Sequence, residues 1–246
     1  MKKILYNIGC SYSEGNGIGE DKGLRPGSDE SKKLEAKSRY SAILSDKLGL
    51  TEINEAKGGG SNQRIFRKTW NWIAKNPKLL SETLFVIQWS YPVRSEYYNP
   101  EIDDKKWNHV DYVNDKKWTD QKFGMNEYLG FKVPDVETSS DITLRYVLSL
   151  QSFFKEHKVN FIFFEGDDSM WEQESFQGKM RKSSINFTSN LGKLVDLDYW
   201  VLESFIPFSG KELTSNGHPN AKSQIKWAEK IENIIKEKNY EKSTIY

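Results

Sequence analysis

One cysteine and three histidines are all that this chain of 246 residues holds of the two residue types most used to bind transition metals. Cys10 alone excludes an internal disulfide and a cysteine-rich zinc centre. With only His109, His157 and His218, a multi-histidine metal site is not expected either. Net charge is also nearly absent: Lys+Arg 36 against Asp+Glu 35 leaves +1. Bulk charge therefore gives no ground for expecting a nucleic-acid partner. No apolar run reaches the roughly 20 residues of a bilayer span, so no membrane partner is expected. The opening MKKILYNIG starts as a signal peptide does. Asn7 and Gly9 interrupt its apolar run, and no small-residue cleavage site follows, so a strand is expected there instead. The chain reads as soluble, made in a cytoplasm, and in need of no cofactor or metal.

What is present is enough for a core. Apolar residues make up 37% and aromatics 13%, in a length that suits one large domain or two small ones. The chain is organised around residues 4–15. Ile4 to Ile8 reads as a buried strand and runs directly into Gly9-Cys10-Ser11-Tyr12-Ser13-Glu14-Gly15. A hydroxyl residue is thereby set at the carboxyl end of a strand, where open α/β sheets bind ligands. Far along the chain, Asn216-Gly217-His218-Pro219-Asn220 immediately precedes a long amphipathic segment. A serine and a histidine at the mouth of one sheet are the material of a nucleophile–base pair.

Between these two points the pattern alternates. A polar, glycine-rich loop is expected from Glu14 to about Lys33, placed to form one wall of a cleft. The spacing then predicts a helix over Arg39–Leu48, stopped at Gly49, and a short strand over Thr51–Asn54. Gly58-Gly59-Gly60 follows, and Ser61 or Asn62 can cap a helix running to about Lys75. A glycine turn at a helix start offers free backbone N–H groups for an anion or oxyanion; a flexible linker is the plainer reading. Thr83 to Ser90 is the clearest buried strand. Residues 91–140 break the rhythm with Tyr97, Tyr98, Trp107, Tyr112, Trp118, Phe123, Tyr128 and Phe131, and with an Asp-Lys-Lys-Trp echo at 104–107 and 115–118. A hairpin explains the echo; the rings serve either sugar stacking or a small core of their own. A helix over Asp141–His157, a strand over Val159–Phe164, a weak strand or turn over Asp196–Leu202 and a helix from Pro219 to about Lys238 complete the chain. This order predicts one α/β domain spanning 1–246. It has three layers, α/β/α, around a flavodoxin-like, mostly parallel sheet of about five strands, and 91–140 is an insertion near its carboxyl edge.

Three blocks in this order resemble the SGNH (GDSL-type) hydrolases. Gly9 to Gly15 is similar to that family's first block, Gly-Asp-Ser-x-Ser/Thr-x-Gly, with Cys10 in the Asp place. Asn54 through Gly60 resembles its second block, and His218-Pro219-Asn220 its last. The resemblance implies an ester hydrolase in which Ser11 is the nucleophile and His218 its general base. The N–H of Ser11 and one from Gly59 or Gly60 would then form part of an oxyanion hole.

Two departures follow. The family's third-block Asn is replaced by Gln88-Trp89-Ser90, which leaves Asn62 as a substitute donor. The family's acid, three residues before the histidine, is here Ser215, with Asn216 beside it. His218 Nδ1 is therefore expected to rest on a neutral acceptor: a backbone carbonyl of 213–217, or the side chain of Ser215 or Asn216. Arg94, just past the third strand, is a further candidate for the cleft wall, as is Glu96. His109 and His157 read as surface residues. Two functions stand open: an esterase acting on small acyl or acetyl esters, including esterified carbohydrate, and a catalytically silent glycan-binding or structural module. A minor third reading makes Cys10 the nucleophile.

Overall fold

The computed structural model describes residues 2–92, 94–98, 107–111, 136–167, 171–174, 180–183, 185–238 and 240. Five parallel strands form the central sheet: β1 (Ile4–Ile8), β2 (Thr51–Asn54), β3 (Thr83–Trp89), β6 (Asn160–Glu165) and β9 (Trp200–Val201). Their spatial order is β2-β1-β3-β6-β9. Two antiparallel hairpins lie outside it, β4 (Arg94–Tyr98) with β5 (Trp107–Asp111) and β7 (Trp171–Glu174) with β8 (Met180–Ser183). The order reverses between β1 and β3, and that switch point is where doubly wound sheets hold their ligands.

Side chains alternate across the sheet. Tyr6, Ile8, Phe85, Ile87, Trp89, Phe161 and Phe163 face helices α4 (Asn62–Lys75) and α5 (Val136–Glu156). Leu5, Leu84, Val86, Ile162, Phe164 and Val201 face α3 (Tyr40–Leu48), the short α6 (Phe205–Ser209) and α7 (Ala221–Glu237). With both faces covered, β3 and β6 are buried at every position, and this explains the apolar runs Leu84–Ile87 and Phe161–Phe164 at their centres. The molecule is thus an α/β/α sandwich. Among the described residues no helix is long and apolar enough to cross a membrane.

Several local expectations are corrected. The expected loop over 14–33 starts on the last residue of a four-residue helix α1 (Ser11–Glu14) and takes in the beginning of α2 (Asp29–Ser38) at its end. Helix α2 has almost no apolar stripe, and what starts it is the Ser28 cap, whose side chain accepts from the Ser31 N–H at 3.2 Å. Helix α5 begins at Val136, inside the segment assigned to the insertion. Pro219 lies outside α7, because Asn220 is the cap: its Oδ1 accepts from Lys222 N–H at 3.0 Å and Ser223 N–H at 3.1 Å. The β4–β5 hairpin includes Trp107 of the first Asp-Lys-Lys-Trp copy. The second copy, and Tyr112, Phe123, Tyr128 and Phe131, lie outside the described residues.

Candidate active site

Ser11 opens α1 directly beyond β1, and a lattice of buried polar side chains fixes that turn from below. Register places Asn7 opposite Asn54, and Asn7 Nδ2 donates to Asn54 Oδ1 at 2.8 Å and to Ser41 Oγ at 3.1 Å. The Tyr40 hydroxyl donates to Asn7 Oδ1 and lies 3.1 Å from Ser13 Oγ. Gln88 takes the central position. Its Oε1 accepts from Ser13 N–H at 3.2 Å and Ser13 Oγ at 2.5 Å, and its Nε2 donates to Cys10 Sγ at 2.9 Å. Gly9 and Gly166 make room for it, since a Cβ at either would lie within 2.6 Å of the Gln88 amide. Truncating such a residue leaves buried donors and acceptors unpaired, at about 1–3 kcal/mol each. Gln88 is a positioning residue that the sequence revealed only as a missing Asn.

The Cys10 side chain is 1% exposed and turned inward onto Gln88. Ser11 Oγ makes no hydrogen bond with a described residue.

The triple-glycine turn packs against the exit of β1 at Gly9 and Cys10. Gly58 N–H donates to Glu14 Oε2 at 2.5 Å, and a Cβ on Gly60 would meet Gly9 O at 3.0 Å. Of the expected donors, Gly60 N–H is committed inside the turn, to Lys57 O at 2.8 Å. The Asn62 side chain is committed as well: Nδ2 donates to Ser90 O at 2.8 Å and Thr143 Oγ1 at 3.0 Å, while Oδ1 accepts from Ser90 N–H at 2.7 Å. Asn62 ties the end of β3 to α4 and α5 and has no amide hydrogen left for an oxyanion. Gly59 N–H has no acceptor among the described residues, and its φ of 71° is one that glycine adopts without strain.

His218 is delivered by a tight turn. Leu213 and Pro219 form an antiparallel bridge, and Thr214 N–H donates to His218 O at 2.7 Å. The first turn of α7 is bound to the Ser11 turn, since Gln224 Nε2 donates to Tyr12 O at 3.1 Å and its Oε1 accepts from Tyr40 N–H at 2.9 Å. The histidine ring stands edge-on to Tyr12, with centroids 5.4 Å apart. Its Nδ1 is 2.9 Å from Asn216 Oδ1, whereas Nε2 makes no hydrogen bond with a described residue. Ser215 does not touch the ring; its Oγ donates to Glu20 Oε2 at 3.3 Å. No hydrogen bond joins Ser11 to His218.

Tyr91, Asp167 and Arg94 lie near Tyr12. The Tyr91 hydroxyl donates to Asp167 Oδ2 and is hydrogen-bonded to Tyr12. Arg94 lies over the Tyr91 ring at 4.8 Å and donates from Nη1 to Ser90 Oγ at 2.8 Å. Glu96 is buried and paired bidentately with Arg67 at 2.7 and 2.9 Å. His157 is exposed at the end of α5, its ring 4.3 Å from that of Phe153. No group of three or more histidine, cysteine or acidic residues suited to a metal occurs among the described residues.

Burial pushes the His218 pKa below its ordinary value of 6.5; a hydrogen bond with the Asn216 backbone, Glu20 and Glu35 pull it up, and Arg94 pushes it further down. Burial raises Tyr12 to about 12 and raises Tyr91 as well, assisted by Asp167. Both phenols are therefore protonated donors near neutral pH, and His218 is a neutral base. If His218 acts as that base, activity follows the unprotonated ring. The rate falls as pH drops through the lowered pKa, so the acid limb of kcat/KM lies below pH 6.5. A pH–rate profile with its acid limb above that value would remove His218 from the role.

A family model matches residues 17–242. The chain belongs to DUF6071, a family of unknown function. No curated protein matches the sequence. Three solved structures share the fold, each at 12% identity. One is the psychrotrophic esterase EstA from Pseudoalteromonas sp., at a TM-score of 0.51 over 97% of this chain and 100% of that one. Another is a family two carbohydrate esterase from Clostridium thermocellum, at 0.54 over 98% of this chain and 66% of that one. The third is the acetyl xylan esterase Est2A from Butyrivibrio proteoclasticus, at 0.53 over 97% and 65%. The fold is thus SGNH-like. At this identity the likeness concerns the fold alone.

Proposed function

We propose that this DUF6071 chain is a divergent SGNH-type ester hydrolase, with Ser11 as nucleophile and His218 as general base. One observation carries the reading. The His218 ring is held at Nδ1 by Asn216, leaves Nε2 free, and stands against Tyr12, the residue after Ser11. In the proposed reaction Nε2 takes the Ser11 hydroxyl proton as Oγ attacks the ester carbonyl. The N–H groups of Ser11 and Gly59 receive the oxyanion, and the alcohol leaves with the proton returned by His218. Water then hydrolyses the acyl-enzyme by the same exchange. The substrate class is a small acyl or acetyl ester, and its alcohol is carbohydrate by analogy with two of the fold's relatives.

The catalytically silent glycan-binding module is the second reading, favoured by a neutral Ser215 where SGNH hydrolases keep an acid and by the lack of a Ser11–His218 hydrogen bond. Labelling separates the two. An aryl alkylphosphonate ester is expected to modify Ser11 with loss of the aryloxide, and peptide mass spectrometry locates the adduct. A folded protein that stays unlabelled at Ser11 favours the silent module.

A further inference from the structure

Asn216 meets two groups with the two ends of its side chain. Its Nδ2 donates to Glu20 Oε1 at 2.8 Å, and its Oδ1 lies 2.9 Å from His218 Nδ1. A carboxylate only accepts hydrogen bonds, so Glu20 dictates that the amide nitrogen faces it. The amide oxygen must then face the imidazole, and Nδ1 must carry the ring hydrogen. Thr214 Oγ1, the other contact of Asn216 Oδ1, is a hydroxyl that can donate or accept, so it does not select the amide orientation. We propose that Glu20 is the remote acid of this site, a positioning residue that sets the His218 tautomer through the Asn216 side chain and leaves Nε2 as the base. The inference rests on the Ser11–His218 reading for its catalytic meaning, but the geometry stands without it.

The local fold is built for this contact. Glu20 opens a short turn, Glu20–Lys22, whose approach is set by Gly17 and Gly19. Gly17 has φ 88°, and a Cβ there would lie 3.0 Å from both Asn216 Oδ1 and Thr214 Oγ1. At Gly19 a Cβ would meet Ser31 Oγ at 2.2 Å. The lack of a side chain at Gly17 lets this segment lie against the 214–217 turn, and that at Gly19 lets it lie against α2. Ser215 Oγ donates to the second carboxylate oxygen at 3.3 Å. The other groups acting on His218 are the Asn216 backbone, which hydrogen-bonds the ring in its own right, and Glu35, Arg94 and Tyr12. Glu35 is engaged by Ser31 Oγ at 3.0 Å and Gly17 N–H at 3.3 Å, Arg94 opposes protonation, and Tyr12 presents a neutral ring edge. Among the described residues Glu20 is the carboxylate joined to His218 through a hydrogen-bonded side chain.

The test uses the full chain labelled with 15N, and long-range 15N–1H spectra of its imidazoles, with His218→Asn assigning the signals. Wild type is expected to show His218 protonated at Nδ1 and bare at Nε2. Glu20→Gln presents an amide that can donate as well as accept, which frees Asn216 to flip. The expected result is a mixture of tautomers and a lower His218 pKa, with kcat/KM reduced roughly 10-fold, in the range for groups that orient a working residue. Glu20→Ala gives the same readout should Gln disturb the turn. If both variants keep the wild-type tautomer and pKa, the proposal is overturned. Loss of the Nδ1–H tautomer in a protein that phosphonate never labels keeps the relay and sinks the hydrolase reading. An unchanged tautomer in a protein labelled at Ser11 does the reverse.

Discussion

Ser11→Ala is expected to abolish hydrolysis of a chromogenic acetyl ester, lowering kcat by roughly 10⁴-fold or more. Its melting temperature should stay near that of wild type. The catalytic effect follows from losing the only atom proposed to bond with the acyl carbon. The small structural effect follows because Ser11 Oγ makes no hydrogen bond with a described residue, so alanine strands no partner. Cys10→Ala supplies the contrast. Its Sγ accepts from Gln88 Nε2 at 2.9 Å behind the turn, so the variant should lose some stability and keep most of its turnover. Should Ser11→Ala retain wild-type rates while Cys10→Ala loses them, the nucleophile would be the thiol and the proposed chemistry wrong.

How far the sequence could reveal this site depended on distance along the chain. The strands β1, β3 and β6 were legible because parallel strands covered on both faces read as continuous apolar runs. Ser11 and His218 stood out as candidates because each sits in a short motif at an element boundary. Helix α2 was not, since it is started by a cap and by Asp29 and Glu30 in its first turn, with no periodic apolar face. Gln88 was visible only as the lack of an Asn, because its partners Cys10 and Ser13 lie on another strand's exit. Asn62 was misread as a free donor, since nothing near it in sequence announces Ser90 and Thr143 as its partners. Glu20 was hidden altogether inside a segment that reads as a charged loop. Its contact with Asn216 spans 196 positions, and no local pattern encodes such a pairing.

Asn216→Ala should lower kcat/KM by about 10–100-fold, the range for removing a partner that orients a metal-ligating histidine. Without the side chain the ring keeps only its hydrogen bond with the residue 216 backbone and is held less firmly. Restoring a true acid at the family's own position, Ser215→Asp, is not expected to help. Ser215 is exposed and faces Glu20, so a carboxylate there meets like charge and does not reach the ring. The position that touches Nδ1 is Asn216. Asn216→Asp alone places the new carboxylate against Glu20, where the amide now donates at 2.8 Å, and the repulsion should consume much of the gain. The combination Asn216→Asp with Glu20→Gln removes that conflict: the glutamine amide donates to one carboxylate oxygen and His218 Nδ1–H to the other. A charged acceptor stabilises the imidazolium formed during attack, where a neutral amide fixes only its orientation. Loss of the acid costs roughly 10⁴-fold in a well-studied triad, so the double variant should exceed wild type in kcat and shift the acid limb of its pH profile upward. Steady-state kinetics on the acetyl ester across pH decides it. A double variant that binds phosphonate at Ser11 yet turns over no faster than wild type would mean that His218 is not the base.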